Sequence, residues 1–185
     1  MVSIASVPSV PALREGGAWA LVLALVMALG TTGSCASTGL PPSATGPALG
    51  RPLPEFTRRS LDGTTISSSA LRGKIVVVEF FAQYCKPCWK ALPQVQKLVA
   101  GDSEVAVIGI GEDEFASDTD LMARQLGLTF PVLHDAGNAL AGRFRVHQLP
   151  ATLVLDQTGV VRWQARPGDG VAELRQAVAA LRADE

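Results

Sequence analysis

Positive charge is not in excess in this chain: 16 lysines and arginines stand against 17 aspartates and glutamates. That balance argues against a nucleic-acid surface, which needs a basic excess on one face. No internal repeat is visible. Long apolar runs are missing too, since Ala18 to Leu29 falls short of the about twenty residues that cross a bilayer. Metal ligands are scarce, with three cysteines and two histidines in 185 residues. A zinc site built on Cys85-x-x-Cys88 would need two more ligands, and Cys35, His134 and His147 are not at ligand spacing to one another. What the chain does have is apolar content, 48% of residues, enough for one globular domain with a real core plus extra segments.

That domain is organised around Val76 to Pro93. Lys74 to Phe81 is a short β-branched apolar run, which predicts a strand covered on both faces. Glu79 interrupts it. After Tyr84 the spacing of Trp89, Leu92, Val95, Leu98 and Val99 is helical, so Cys85 and Cys88 fall where a helix begins. The free N–H groups and positive dipole end of a helix favour a thiolate, which makes Cys85 the better nucleophile. Two intervening residues let Cys88 approach it and close a disulfide. Pro87 suits a first turn; Pro93 predicts a kink near Trp89.

Several segments together carry a resemblance. They are Leu53-Pro54-Glu55-Phe56-Thr57 with Leu61-Asp62-Gly63, Leu71-Arg72-Gly73-Lys74, the Cys85-Lys86-Pro87-Cys88 turn, Leu128 to Leu133, Leu149-Pro150-Ala151-Thr152 and Asp156-Gln157-Thr158-Gly159. In these the chain resembles the thioredoxin superfamily, and within it the TlpA/ResA-like thiol-disulfide oxidoreductases of the bacterial envelope. The resemblance implies a thioredoxin-like α/β fold: a mixed central sheet with helices on both faces, an N-terminal β-hairpin and a strand-helix insertion.

Taken in order, residues 1–35 read as a signal peptide. Gly30 to Ser34 lead to Cys35 in the manner of a lipoprotein signal, so that Cys35 would carry the lipid anchor, although Thr32 stands where that pattern prefers leucine. Cleavage after Ala36 and an uncleaved anchor are the competing readings. Residues 36–51, rich in proline, glycine and serine, read as a flexible tether, and 52–185 as the domain. Leu53–Thr57 and Thr64–Ser67 predict the hairpin, Val105–Ile110 a buried strand, Asp118–Leu126 a helix, and Pro131–His134 a short strand. Ala139–Phe144 reads as a short helix, Ala151–Leu155 and Val160–Trp163 as a strand pair, and Val171–Leu181 as the closing helix. The acids Glu112, Asp113, Glu114, Asp118 and Asp120 read as a solvated, dipole-matched helix start in preference to a metal site.

Site roles follow from the resemblance. It implies a cis Leu149–Pro150 bond facing the cysteines, where the backbone and Trp89 meet an incoming client, with Lys86 and Pro87 tuning the thiols. It also implies a buried acid, Glu79, that exchanges a proton with Cys88; glutamate where thioredoxin has aspartate is a departure. His147 reads as a loop histidine and His134 as structural. The implied activity is reduction of disulfides in a client protein by Cys85 and Cys88, recharged by a membrane thiol-transporting reductant, on the periplasmic side of the envelope. The clients typical of that group are apocytochrome c or copper-site cysteines. No cofactor, metal or nucleic acid is implied, and a lipid-anchored monomer is expected. A disulfide-donating oxidase using the same site stays open. A peroxiredoxin would need Pro and Thr where Phe81 and Cys85 stand, and a Sco-type copper module needs one more residue between the cysteines.

Overall fold

The computed structural model describes residues 46–183. The signal peptide, Cys35 and most of the expected tether lie outside the described residues. Seven strands and four α-helices follow one another: β1 (Thr57–Arg59), β2 (Thr65–Ser67), β3 (Ile75–Phe81), α1 (Cys88–Val99), β4 (Val105–Gly111), α2 (Ala116–Gln125), β5 (Val132–His134), α3 (Ala139–Phe144), β6 (Ala151–Leu155), β7 (Val161–Gln164) and α4 (Val171–Ala183). β1 and β2 pair as an antiparallel hairpin, while the other five form one sheet in the order β5-β4-β3-β6-β7. β3 is parallel to β4 and antiparallel to β6, so the sheet is mixed.

Every residue of β3 is buried, because the strand has partners on both sides and packing on both faces. Val76, Val78 and Phe80 point towards α3, meeting Leu140 and Phe144, with Phe80 and Phe144 edge to face at 5.4 Å. Ile75, Val77 and Phe81 point the other way, towards Leu92 and Val95 of α1 and Leu174 and Val178 of α4. Side chains alternate along a strand, so Glu79 lies on this second face, beneath α1. The helices thus cover both faces, in the thioredoxin-like manner.

Three boundaries differ from expectation. The hairpin strands begin at Thr57 and not at Leu53, because Pro52 and Pro54 cannot donate to a ladder. Leu53 instead gives its N–H to Gly159 and buries its side chain. Gly46 to Arg51, expected in the tether, are packed: Ala48 is fully buried, and Gly50 and Arg51 exchange hydrogen bonds of 2.9 Å with Val161. Helix α2 starts at Ala116, two residues early. Helix α1 runs unbroken through Pro93.

Gly111, the last residue of β4, has the Thr119 side chain directly over it. A methyl group there would collide with the threonine and dislodge its hydroxyl from Asp113. Gly111→Ala is therefore expected to cost about 1–3 kcal/mol, the usual penalty of overpacking, read from urea denaturation.

Candidate active site

The carboxyl end of β3 delivers the chain into two successive turns. Cys85 donates its N–H to Ala82 and Cys88 its N–H to Cys85, both at 3.0 Å, before α1 begins at Cys88. Cys85 and Cys88 are joined in a disulfide with Cα atoms 5.4 Å apart. Cys85 is 7% exposed and Cys88 not at all. A partner can therefore reach Cys85 alone.

The Leu149–Pro150 peptide is cis. Leu149 packs in the same apolar cluster as both cysteines. Residues His147 to Leu149 border an opening of about 600 Å³ that also takes in Tyr84, Cys85 and Lys86. Pro150 lines an adjoining groove of about 980 Å³ together with Pro87 and Lys90. Trp89 lines neither. Its indole N–H is taken up by the Gln83 carbonyl at 2.9 Å. The groove face of α1 is Pro87, Lys90, Ala91 and Gln94, at helical i, i+3, i+4, i+7 spacing, and Trp89 falls off that stripe.

Glu79 is wholly buried, and neither carboxylate oxygen has a hydrogen-bond partner at normal geometry among the described residues. Loss of hydration pushes its pKa up from 4.5 to about 7, an effect that the Thr152 side chain, opposite it in the β3–β6 register, only partly offsets.

Two acids of the β4–α2 junction belong to this site, a role that the sequence pattern conceals. Asp113 is buried; it accepts the Gln83 N–H and the Thr119 hydroxyl, both at 2.8 Å, and so ties down the turn that carries Cys85. His134 reaches the Asp113 carbonyl at 2.8 Å. Glu112 donates its N–H to Phe81 at 2.8 Å, extending the ladder, and its half-buried carboxyl borders the same opening as Cys85. Burial, with the negative charge of Asp135 adding to it, raises the Glu112 pKa to about 7. The available signal was position: both acids follow the carboxyl end of a strand beside the one bearing the cysteines, where α/β sheets place their sites. Tyr84, 69% exposed, stands beside Cys85 at the same opening, and nothing in the sequence pattern marks it out. Among the described residues no group of three or more metal-ligating side chains occurs.

Fold and disulfide together place this chain in the class of thioredoxin-like thiol-disulfide oxidoreductases. Residues 49–164 match the AhpC/TSA family, and the chain belongs to it. It is 33% identical over 115 residues to the thiol-disulfide oxidoreductase ResA of Bacillus thuringiensis (strain Al Hakam), a match covering 61% of this chain and 66% of that one. Among solved structures it is similar to dsbF of MTB, solved in mixed oxidised and reduced forms, with 28% identity, a TM-score of 0.64, and coverage of 74% of this chain and 99% of the other. A thiol:disulfide interchange protein of the thioredoxin family from Chlorobium tepidum TLS gives 25% identity, a TM-score of 0.63, and coverage of 70% and 95%.

The raised pKa of Glu79 makes a prediction about stability. The folded protein holds this proton more tightly than the unfolded chain does, so stability is greatest below the unfolded value of 4.5 and is lost as pH rises through about 7. At 1.36 kcal/mol per unit the loss is about 3 kcal/mol. Glu79→Gln should remove the Glu79 share of this fall and leave that of Glu112, making the variant more stable than the parent at pH 8 and no more stable at pH 4.5. Paired urea titrations test it; equal slopes for the two proteins would contradict the buried-acid assignment.

Proposed function

We propose that this protein reduces disulfides in client proteins outside the cytoplasm, held to the membrane by lipid on Cys35. The observation that carries the reading is the accessible Cys85, bonded to a sealed Cys88 at the start of α1 and facing the cis Pro150 loop.

The cycle starts from the dithiol. Cys85 thiolate, favoured by the helix terminus and by Lys86 beside it, attacks one sulfur of a client disulfide. The S–S bond of the client breaks, its leaving sulfur takes up a proton, and a mixed disulfide joins Cys85 to the client. The backbone before Pro150 holds the client segment, with Tyr84 and Leu149 offering apolar contact. Cys88 then gives its proton to Glu79 and attacks Cys85, releasing the second client thiol. Two electrons and two protons have passed to the client, and the Cys85–Cys88 disulfide is left. A pKa near 7 suits Glu79 to this task, since it can both take and return a proton at neutral pH. Glu112, bordering the Cys85 opening, takes the Cys85 proton as its thiolate forms and gives it to the first client sulfur to leave. The second leaves as a thiolate and is protonated from water, matching the proton that Glu79 later releases. A membrane thiol-transporting protein would reload the pair, and cytochrome c maturation is the process this reading favours.

Cys88→Ser should accumulate a client mixed disulfide on Cys85 that non-reducing electrophoresis resolves, while Cys85→Ser accumulates none. Glu79→Gln should slow release of the second thiol near pH 7 by about a hundredfold, at the low end of general-base contributions, and remove the inflection there. Direction is read from a reduction potential together with alkylation trapping in cells. A low potential with a mostly reduced pair is expected. A potential near −120 mV, that of the strong oxidants, with a mostly oxidised pair would make the protein a disulfide donor.

A further inference from the structure

The opening at Cys85 and the larger groove are continuous, sharing Pro87, His147, Gln148 and Leu149. A client segment lying against the Pro150 loop must run along this path. Its floor is apolar, with Val95, Trp163 and Leu174 beneath it, but its rim is not neutral. Lys86, Lys90 and Arg145 are all exposed there, and none makes an ion pair among the described residues. Arg166 is already engaged by Asp169 at 3.7 Å. The acids along the path are that same Asp169 and the half-buried Glu112.

Arg145 strengthens the case. It closes α3 in the left-handed conformation, φ 57°, with its N–H returned to Gly142. Glycine fills such a helix end at no steric cost, whereas the Cβ of an arginine crowds the backbone there. A strained residue kept at a site edge points to a use for its side chain. Here the use is a positive charge on the groove wall.

We infer that the groove selects clients whose reactive cysteine is flanked by acidic residues. The inference rests on the client-exchange reading above and adds the chemical class of client. Surface charge of this kind chiefly sets encounter and partner choice. Each exposed pair is worth a factor of about two, so three cations together give about tenfold.

The test uses the reduced full chain and two peptides, each carrying one disulfide to a small neutral thiol and differing only in three aspartates or three lysines beside the cysteine. At low salt the aspartate peptide should be reduced about tenfold faster, and the ratio should fall towards one at high salt as the charges are screened. Arg145→Gly, which relieves the strained conformation and so is expected to fold at least as well, should lower the ratio by about twofold, as should Lys90→Gln. The double reversal Lys90→Glu with Arg145→Glu should turn the preference towards lysine. Equal rates at low salt, whether because the segment preceding Gly46 or a second copy of the chain covers the groove, or a preference for the lysine peptide, would overturn the inference. Failure to reduce either peptide would instead sink the exchange reading beneath it.

Discussion

A carboxyl group shut away from water, on a strand with partners on both sides, sets the terms for the whole redox end of the molecule. Glu79 can stay there only because β3 is covered on both faces and because the group can hold its proton when no charge is tolerated. The same burial that raises its pKa brings it beneath α1, the helix whose first residue is Cys88. Strand, helix and acid are therefore one arrangement: a looser sheet would hydrate the carboxyl, return its pKa to the ordinary range and leave it ionised at neutral pH.

The neighbouring strand completes the site. β4 runs parallel to β3, so both strands release their chains at the same end of the sheet. One exit supplies the cysteine turn; the other supplies Asp113, which grips Gln83, and Glu112, which borders the opening. Two carboxyls in different surroundings thus stand at this end of the sheet, one sealed in β3 on the face that α1 covers and one half open at the Cys85 opening. The chain belongs to the AhpC/TSA family, but Phe81 and Cys85 occupy the places where a peroxidatic turn needs proline and threonine.

Much of this could be read from the residues in order, because it is local. The β-branched run of β3, the helical spacing after Tyr84 and the short helix Ala139–Phe144 each depend on neighbours within a few positions. What escaped reading depends on contacts distant in sequence. Five acids at a strand-helix junction look solvated until Thr119 folds back over Gly111 and the Gln83 N–H arrives from the turn after β3 to meet Asp113. Gly46 to Arg51 have the composition of a linker, yet the free side of β7 recruits their backbone. Trp89 sits one residue past the second cysteine, close in sequence to the groove face of α1 but turned about 150° round the helix from its centre.

That recruitment has a consequence for how other chains can approach. Gly50 and Arg51 occupy the outer side of β7, and Pro52 bridges to Val160. At the opposite margin Leu61 donates to Val132 of β5, a strand only three residues long. With one end of each marginal strand capped in this way, a visiting peptide has less edge on which to enlist as a sixth strand, the route by which many extended ligands and most aggregates attach. On the function proposed above, main-chain pairing then falls to the loop before Pro150, which borders the same opening as Cys85.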